Sequence, residues 1–105
     1  IDAAHKAGIH DIIIDPGFGF GKTLEHNYSL LKNISSIQMD GIPMLIGVSR
    51  KSMIHKLLQI EVGDALNGTS VLNTVALQQG AQILRVHDVK EAHQAVQLIE
   101  KLKYA

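Results

Sequence analysis

Three times along this chain a short apolar run ends in polar residues and passes into an amphipathic helical stretch, and no other feature restricts the fold as much. The runs are Asp11 to Asp15, Met44 to Val48 and Gln82 to Val86. Their polar ends recur roughly every 35 residues, the period of βα units in a parallel sheet. The helical stretches read as Glu25 to Gln38, with Leu30, Ile34 and Ile37 on one face, and Val89 to Lys103, with Val89, Ala92, Val96 and Ile99 on one face. Between them, the segment after the second run reads as a short helix from Lys51 to Leu58, a loop through Gly63, Asn67 and Gly68, and a helix from Ser70 to Gln79. Three such units make an α/β fold, yet they do not close a barrel, which takes eight units and ~250 residues. As a free open sheet they would expose both edges. The first residues, Ile1 to Gly8, read as the last turns of a helix whose start is missing, and there is no initiator methionine. The expectation is three parallel βα units of a TIM (β/α)8 barrel, cut from a longer chain.

Composition removes several function classes. Ten basic and ten acidic side chains cancel among 105 residues, leaving no electrostatic footprint for nucleic acid or an anionic membrane. Any anion must then be held locally. Cysteine is absent, which excludes a disulfide scaffold and a thiolate zinc site. No apolar run approaches the roughly 20 residues of a membrane span, and no secretory signal pattern opens the chain. The reading is a soluble, cytoplasmic protein whose ligands are small molecules.

The first run empties into Asp15-Pro16-Gly17-Phe18-Gly19-Phe20-Gly21-Lys22-Thr23, which imitates two phosphate-binding motifs and satisfies neither. A P-loop needs a glycine where Pro16 stands, and a dinucleotide fingerprint needs one where Lys22 stands. What remains is a carboxylate at a strand's carboxyl end, where α/β barrels place their chemistry. Glycines beside it permit close approach of a ligand to the backbone. Phe18 and Phe20 could simply pack the loop, but their alternation with glycines beside a carboxylate favours a flat ligand platform for one of them. Lys22 reads as a solvated lysine or a loop-edge ligand contact.

The other two strand ends carry Ser49-Arg50-Lys51-Ser52 and Arg85-Val86-His87-Asp88, and the only two arginines in the chain, Arg50 and Arg85, fall there. A guanidinium offers a planar fork to phosphate or carboxylate and stacks on heteroaromatic rings. Arg85 and His87 alternate along a strand, so both should face the same side, as an anion pair or, for His87, as a core histidine. Asp88 stands three residues before Glu91, the capping-box spacing, which predicts a structural N-cap. Ser49 is either a cap or a site residue, and Thr69 and Ser70 read as a helix start. His5, His10, His26, His55 and His93 show no metal-ligand spacing and read as surface residues. A carboxylate, cationic and aromatic planes and an anion pocket together suit a flat nitrogen heterocycle with a phosphate-bearing arm.

With these three motifs in this order and spacing, together with Glu25-His26-Asn27-Tyr28-Ser29-Leu30-Leu31 and Gly68-Thr69-Ser70, the chain resembles the bacterial dihydropteroate synthases of the pterin-binding barrel family. The resemblance spans essentially all of residues 1–105, as the carboxyl-terminal portion of a single pterin-binding barrel domain. It implies a transferase of folate biosynthesis that joins 6-hydroxymethyl-7,8-dihydropterin diphosphate to 4-aminobenzoate, forming 7,8-dihydropteroate and pyrophosphate. By motif, Asp15 would bind the pterin's amino-pyrimidinone edge and Lys51 its ring. Arg85 would cover the ring and, with His87, hold the diphosphate. Phe20 and Ser52 would line the 4-aminobenzoate site, with Arg50 near it and Phe20 also beside the pterin. Lys51, Arg85 and His87 would be the catalytic set. The resemblance also implies Mg2+, its main protein ligand outside this chain, a homodimer, sulfonamide competition with 4-aminobenzoate, and no appreciable activity for the segment alone. Two other readings are a methyltetrahydrofolate-binding domain of a corrinoid methyltransferase and a non-catalytic α/β binding or scaffold piece.

Overall fold

The computed structural model describes residues 13–19, 22–38 and 41–105. In chain order these form helix α1 (Leu24–Lys32), a 3-10 turn (Ile34–Ile37), strand β1 (Leu45–Ile46), helix α2 (Ser52–Leu58), a second 3-10 turn (Val62–Asp64), helix α3 (Leu66–Gln78), strand β2 (Ile83–Leu84) and helix α4 (Val89–Lys103). The strands are parallel, with Leu45 opposite Ile83 and Ile46 opposite Leu84. Ile14 bridges Met44 in the same parallel sense. The chain thus aligns three strand positions in the order Ile14, β1, β2, the α/β arrangement expected from the repeat. The opening helix stub and Asp11 lie outside the described residues.

The strands are shorter than the apolar runs. Gln82 explains one end: its side-chain Oε1 accepts the Met44 N–H at 2.9 Å, while the Gln82 and Ile83 N–H groups share the Met44 carbonyl at 3.1 Å each. A side chain therefore replaces part of the ladder. The central strand is still the best covered, because Met44, Ile46 and Val48 are fully buried. They join Phe18, Leu31, Ile34, Met53, Ile54, Ala65 and Ala76 in one core.

Helix α1 begins at Thr23, whose Oγ1 accepts the His26 N–H at 3.1 Å, satisfying one of the orphan donors of a first turn. Glu25 in the first turn and Lys32 in the last complement the helix dipole. The helix ends earlier than Gln38. Asn33 bonds back to the Ser29 carbonyl at 2.8 Å and Ser36 Oγ donates to the Asn33 carbonyl at 2.6 Å. Such side chains compete with helical hydrogen bonds, and the remaining residues tighten into a 3-10 turn. Of the face expected there, Ile34 is fully buried but Ile37 is 40% exposed.

Helix α3 starts at Leu66, not Ser70, so Asn67, Gly68 and Thr69 are helical and not loop. The reason is packing. A Cβ on Gly68 would lie 2.5 Å from Ile54 Cγ2, so glycine here lets α3 press against α2. Helix α4 has the bounds expected, and Ala92 is buried on its inner face. Val89, expected on that face, is 69% exposed.

Candidate active site

The three strand ends bring their polar residues to one edge. Arg85, at the end of β2, reaches Asp15 with Nη1 3.6 Å from Oδ2. Both side chains are about half exposed, and a pair this wet contributes at most ~1 kcal/mol. Either partner is therefore free to exchange its contact for a ligand at little cost. Asp15 Oδ1 also accepts the Gly17 N–H at 3.0 Å, an Asx turn that orients the carboxylate.

Lys51, immediately before α2, crosses the glycine loop. Its Nζ donates to the Phe18 carbonyl at 2.9 Å, and its Cδ passes where a Cβ on Gly19 would be, 3.5 Å away. Gly19 also has φ +107°, a region that favours glycine. Burial lowers the Lys51 ammonium's pKa, the charge of Arg85 lowers it further, and Asp15 opposes both. On the far side of the loop, the buried Asn27 accepts the Gly19 N–H through Oδ1 at 2.9 Å. Phe18 and Gly19 are thus held from α1 and from the residue that precedes α2.

Gly47, Ser49, Lys51, Arg85, Val86 and His87 line a cavity of about 160 Å3. The alternation of Arg85 and His87 does place both on it. Gly47 is specific to this arrangement, because a Cβ there would stand 2.8 Å from Arg85 Nη2. The guanidinium lies over the glycine. Ser49 is buried and caps no helix. Its Oγ accepts the main-chain N–H of His87 at 3.1 Å and lies 2.9 Å from His87 Nδ1.

Arg50 does not join this cavity. Its Nε and Nη2 donate to the two Asp88 oxygens at 2.9 Å each, and Nη1 donates to the Val62 and Gly63 carbonyls at 3.0 and 3.1 Å. Four of the five guanidinium donors are used. The Asp88 carboxylate accordingly makes no cap hydrogen bond to α4, which corrects the capping-box reading. A bidentate charge-assisted pair is stronger than a cap. The Arg50 guanidinium holds the Asp88 carboxyl below its ordinary range. Arg50 itself adopts φ +53°, and its main-chain N–H donates to Thr69 Oγ1 at 3.0 Å, while Thr69 donates to the Ala65 carbonyl at 2.7 Å. Thr69, read from sequence as a helix start, is a buried brace for this turn.

Ser52 opens α2 beside Lys51 and is half-buried. Phe18 is a core residue, 6% exposed, so its use is packing. Phe20 lies outside the described residues, as do His5 and His10. Lys22, His26 and His93 are exposed, and His55 is half-buried. Sequence reasoning missed Gly47 and the bracing roles of Asn27 and Thr69. Asn27 and Thr69 had a signal of sorts, being polar on helix faces otherwise turned to the core. Among the described residues, no three His, Asp or Glu side chains cluster to hold a metal ion, and no helix is long and apolar enough to cross a membrane.

Asp15, Lys51, Arg85 and His87 thus meet at one edge of a parallel α/β sheet, beside a small cavity. Residues 1–87 match the family model described as pterin binding enzyme, and the chain belongs to that family. It is 45% identical over 102 residues to the dihydropteroate synthase of Escherichia coli K12, covering 95% of this chain and 36% of that protein. The chain therefore spans about a third of that relative's length. Among solved structures, the Yersinia pestis dihydropteroate synthase superposes with a TM-score of 0.92 at 42% identity over 99% of this chain and 50% of that one. The Thermus thermophilus enzyme in complex with 4-aminobenzoate gives 0.88 at 38% identity over 96% of this chain and 40% of that one. The α/β barrel architecture expected from sequence is the architecture of these neighbours.

Proposed function

We propose that the chain is the carboxyl-terminal portion of a single pterin-binding barrel domain in a dihydropteroate synthase. In that protein, a transferase of folate biosynthesis, it supplies one side of the pterin diphosphate site. The observation that carries this reading is the convergence of Asp15, Lys51, Arg85 and His87 from three parallel strand ends.

Asp15 presents oxygens to the amino-pyrimidinone edge of 6-hydroxymethyl-7,8-dihydropterin diphosphate, a two-bond match between carboxylate and amino-substituted ring. Lys51 contacts the ring, and Arg85 covers it while reaching, with His87, for the diphosphate. The 4-aminobenzoate nitrogen attacks the exocyclic methylene carbon. The new C–N bond replaces the C–O bond to diphosphate, pyrophosphate departs with the electron pair, and the amine gives up a proton. The departing negative charge is where fixed cationic and N–H groups lower the barrier most. Lys51, Arg85 and His87 are the catalytic residues in this scheme.

Phe20 and Ser52 line the 4-aminobenzoate side, a substrate the Thermus thermophilus relative binds. Arg50 serves that side through its grip on the 62–63 loop and Asp88. A sulfonamide resembles 4-aminobenzoate and would compete with it. No step is assigned to a metal held by this chain. The Mg2+ expected of the intact protein belongs with its remaining residues.

Exposed apolar side chains on α2 and α3 (Leu57, Leu58, Val71) and on α4 (Val89, Leu98, Leu102) support a homodimer of the intact protein, which we place in the cytoplasm. A methyltetrahydrofolate-binding domain would have no use for the Arg85 and His87 pocket. The test is formation of 7,8-dihydropteroate from the two substrates by the intact protein, with none by residues 1–105 alone. Absence of product from the intact protein would overturn the reading, as would retained turnover in the Arg85→Ala and Lys51→Ala variants.

A further inference from the structure

Ser49 sits at the end of the central strand with 5% of its surface exposed, and both of its side-chain contacts run to one residue. Oγ accepts the His87 main-chain N–H at 3.1 Å and lies 2.9 Å from His87 Nδ1. A serine hydroxyl has one proton and two acceptor lone pairs. The main-chain N–H occupies one lone pair. Were Nδ1 protonated, it would take the second, and the serine proton would need an acceptor elsewhere. No other hydrogen bond among the described residues uses Oγ. With the serine proton donated to Nδ1, the buried hydroxyl is satisfied, as buried polar groups overwhelmingly are, and the exposed imidazole keeps its other nitrogen for the cavity.

We propose that Ser49 is a positioning residue that holds neutral His87 in its Nε2-protonated tautomer. The imidazole's other edge then offers an N–H to an anion in the cavity that His87 lines with Lys51 and Arg85. The opposite tautomer would present a lone pair to that anion and repel it. A metal-bound or proton-shuttling histidine needs its free nitrogen unprotonated, whereas an anion-binding one needs it protonated. The proposal rests on the functional reading only in taking the anion to be the diphosphate of the pterin substrate.

The direct test is 15N NMR of the intact protein labelled at histidine, at a pH well above the ordinary imidazole pKa of about 6.5. Expected for His87 are an unprotonated Nδ1 and a protonated Nε2. In Ser49→Ala the two tautomers should mix. A protonated Nδ1 in the wild type overturns the proposal, as does an unchanged population in the variant. The wild-type spectrum decides alone if the variant fails to fold.

Kinetics give an independent readout. Ser49→Ala should lower kcat/KM for the pterin diphosphate about tenfold, and should cost nothing further when His87 is already alanine. Additive losses would make Ser49 a packing residue and overturn the proposal. The spectrum requires no substrate, so a wild-type protein without synthase activity would reject the functional reading while leaving the tautomer assignment to its own result.

Discussion

Arg50 grips both oxygens of Asp88 at 2.9 Å across 38 residues of sequence. The pair ties the loop after β1 to the start of α4. The remaining Arg50 bonds, to the Val62 and Gly63 carbonyls, tie the same loop to the second 3-10 turn beyond α2, so the neighbouring Lys51 and Ser52 are delivered by a braced turn.

A carboxyl held below its ordinary pKa stabilises the fold above the unfolded-state value and loses that contribution as pH falls through the folded one. For Asp88 the window opens near pH 4, the ordinary aspartate range of about 3.9, and runs downward. Asp88→Asn should lower the urea midpoint of the intact protein at pH 7. The gap from wild type should close as the pH is taken down through that window. A gap of constant size would assign the loss to something other than this ion pair.

Gly47→Ala tests the bed on which Arg85 lies. The added Cβ meets the end of a flexible side chain, 2.8 Å from Nη2 and 3.0 Å from Nε, so the guanidinium swings away and the backbone stays. Stability should change by no more than roughly 1 kcal/mol, while kcat/KM of the intact protein for the proposed pterin diphosphate substrate falls about tenfold. Unfolding and turnover measured on the same preparation check the pair of outcomes. Equal kinetics would show that Arg85 works from another position.

Gly68→Ala should have the opposite profile. Alanine gains up to about 1 kcal/mol in helix propensity, but overpacking against Ile54 and Leu58 costs about 1–3 kcal/mol, because the clash at 2.5 Å is with a buried branched side chain. The net expectation is destabilisation, read as a lower urea midpoint with little change in KM. A stabilised variant would mean that α2 and α3 separate easily.

Tyr28→Phe removes the phenol that donates to the Met53 carbonyl at 2.6 Å and joins α1 to the first turn of α2. Burial raises the phenol's pKa from its ordinary 10.0, so it remains a neutral donor at any working pH. The loss should be about 1 kcal/mol by chemical denaturation. No measurable loss would mean that water replaces the hydroxyl.

Much of this was legible in the chain because it depends on local pattern. Helix α4 ends where its periodicity does, and the strand ends are marked by Asp15, Lys51 and Arg85. What was not legible is non-local. Asp88 has the spacing of a cap, but Arg50 competes for it from 38 residues away, and no short-range rule registers that. Asn67-Gly68 has the composition of a loop, yet contact with Ile54 makes it helix. Ser49 resembled a cap until β1 and β2 paired and brought His87 to it.

The most direct test of the proposed site is calorimetric titration of the intact protein with 6-hydroxymethyl-7,8-dihydropterin diphosphate, wild type against Asp15→Asn. The amide replaces an acceptor oxygen by a donor facing the pterin's own amino group, so binding should weaken at least tenfold, or about 1.4 kcal/mol. Equal affinity of the two proteins would contradict the placement of the pterin at the end of the first strand.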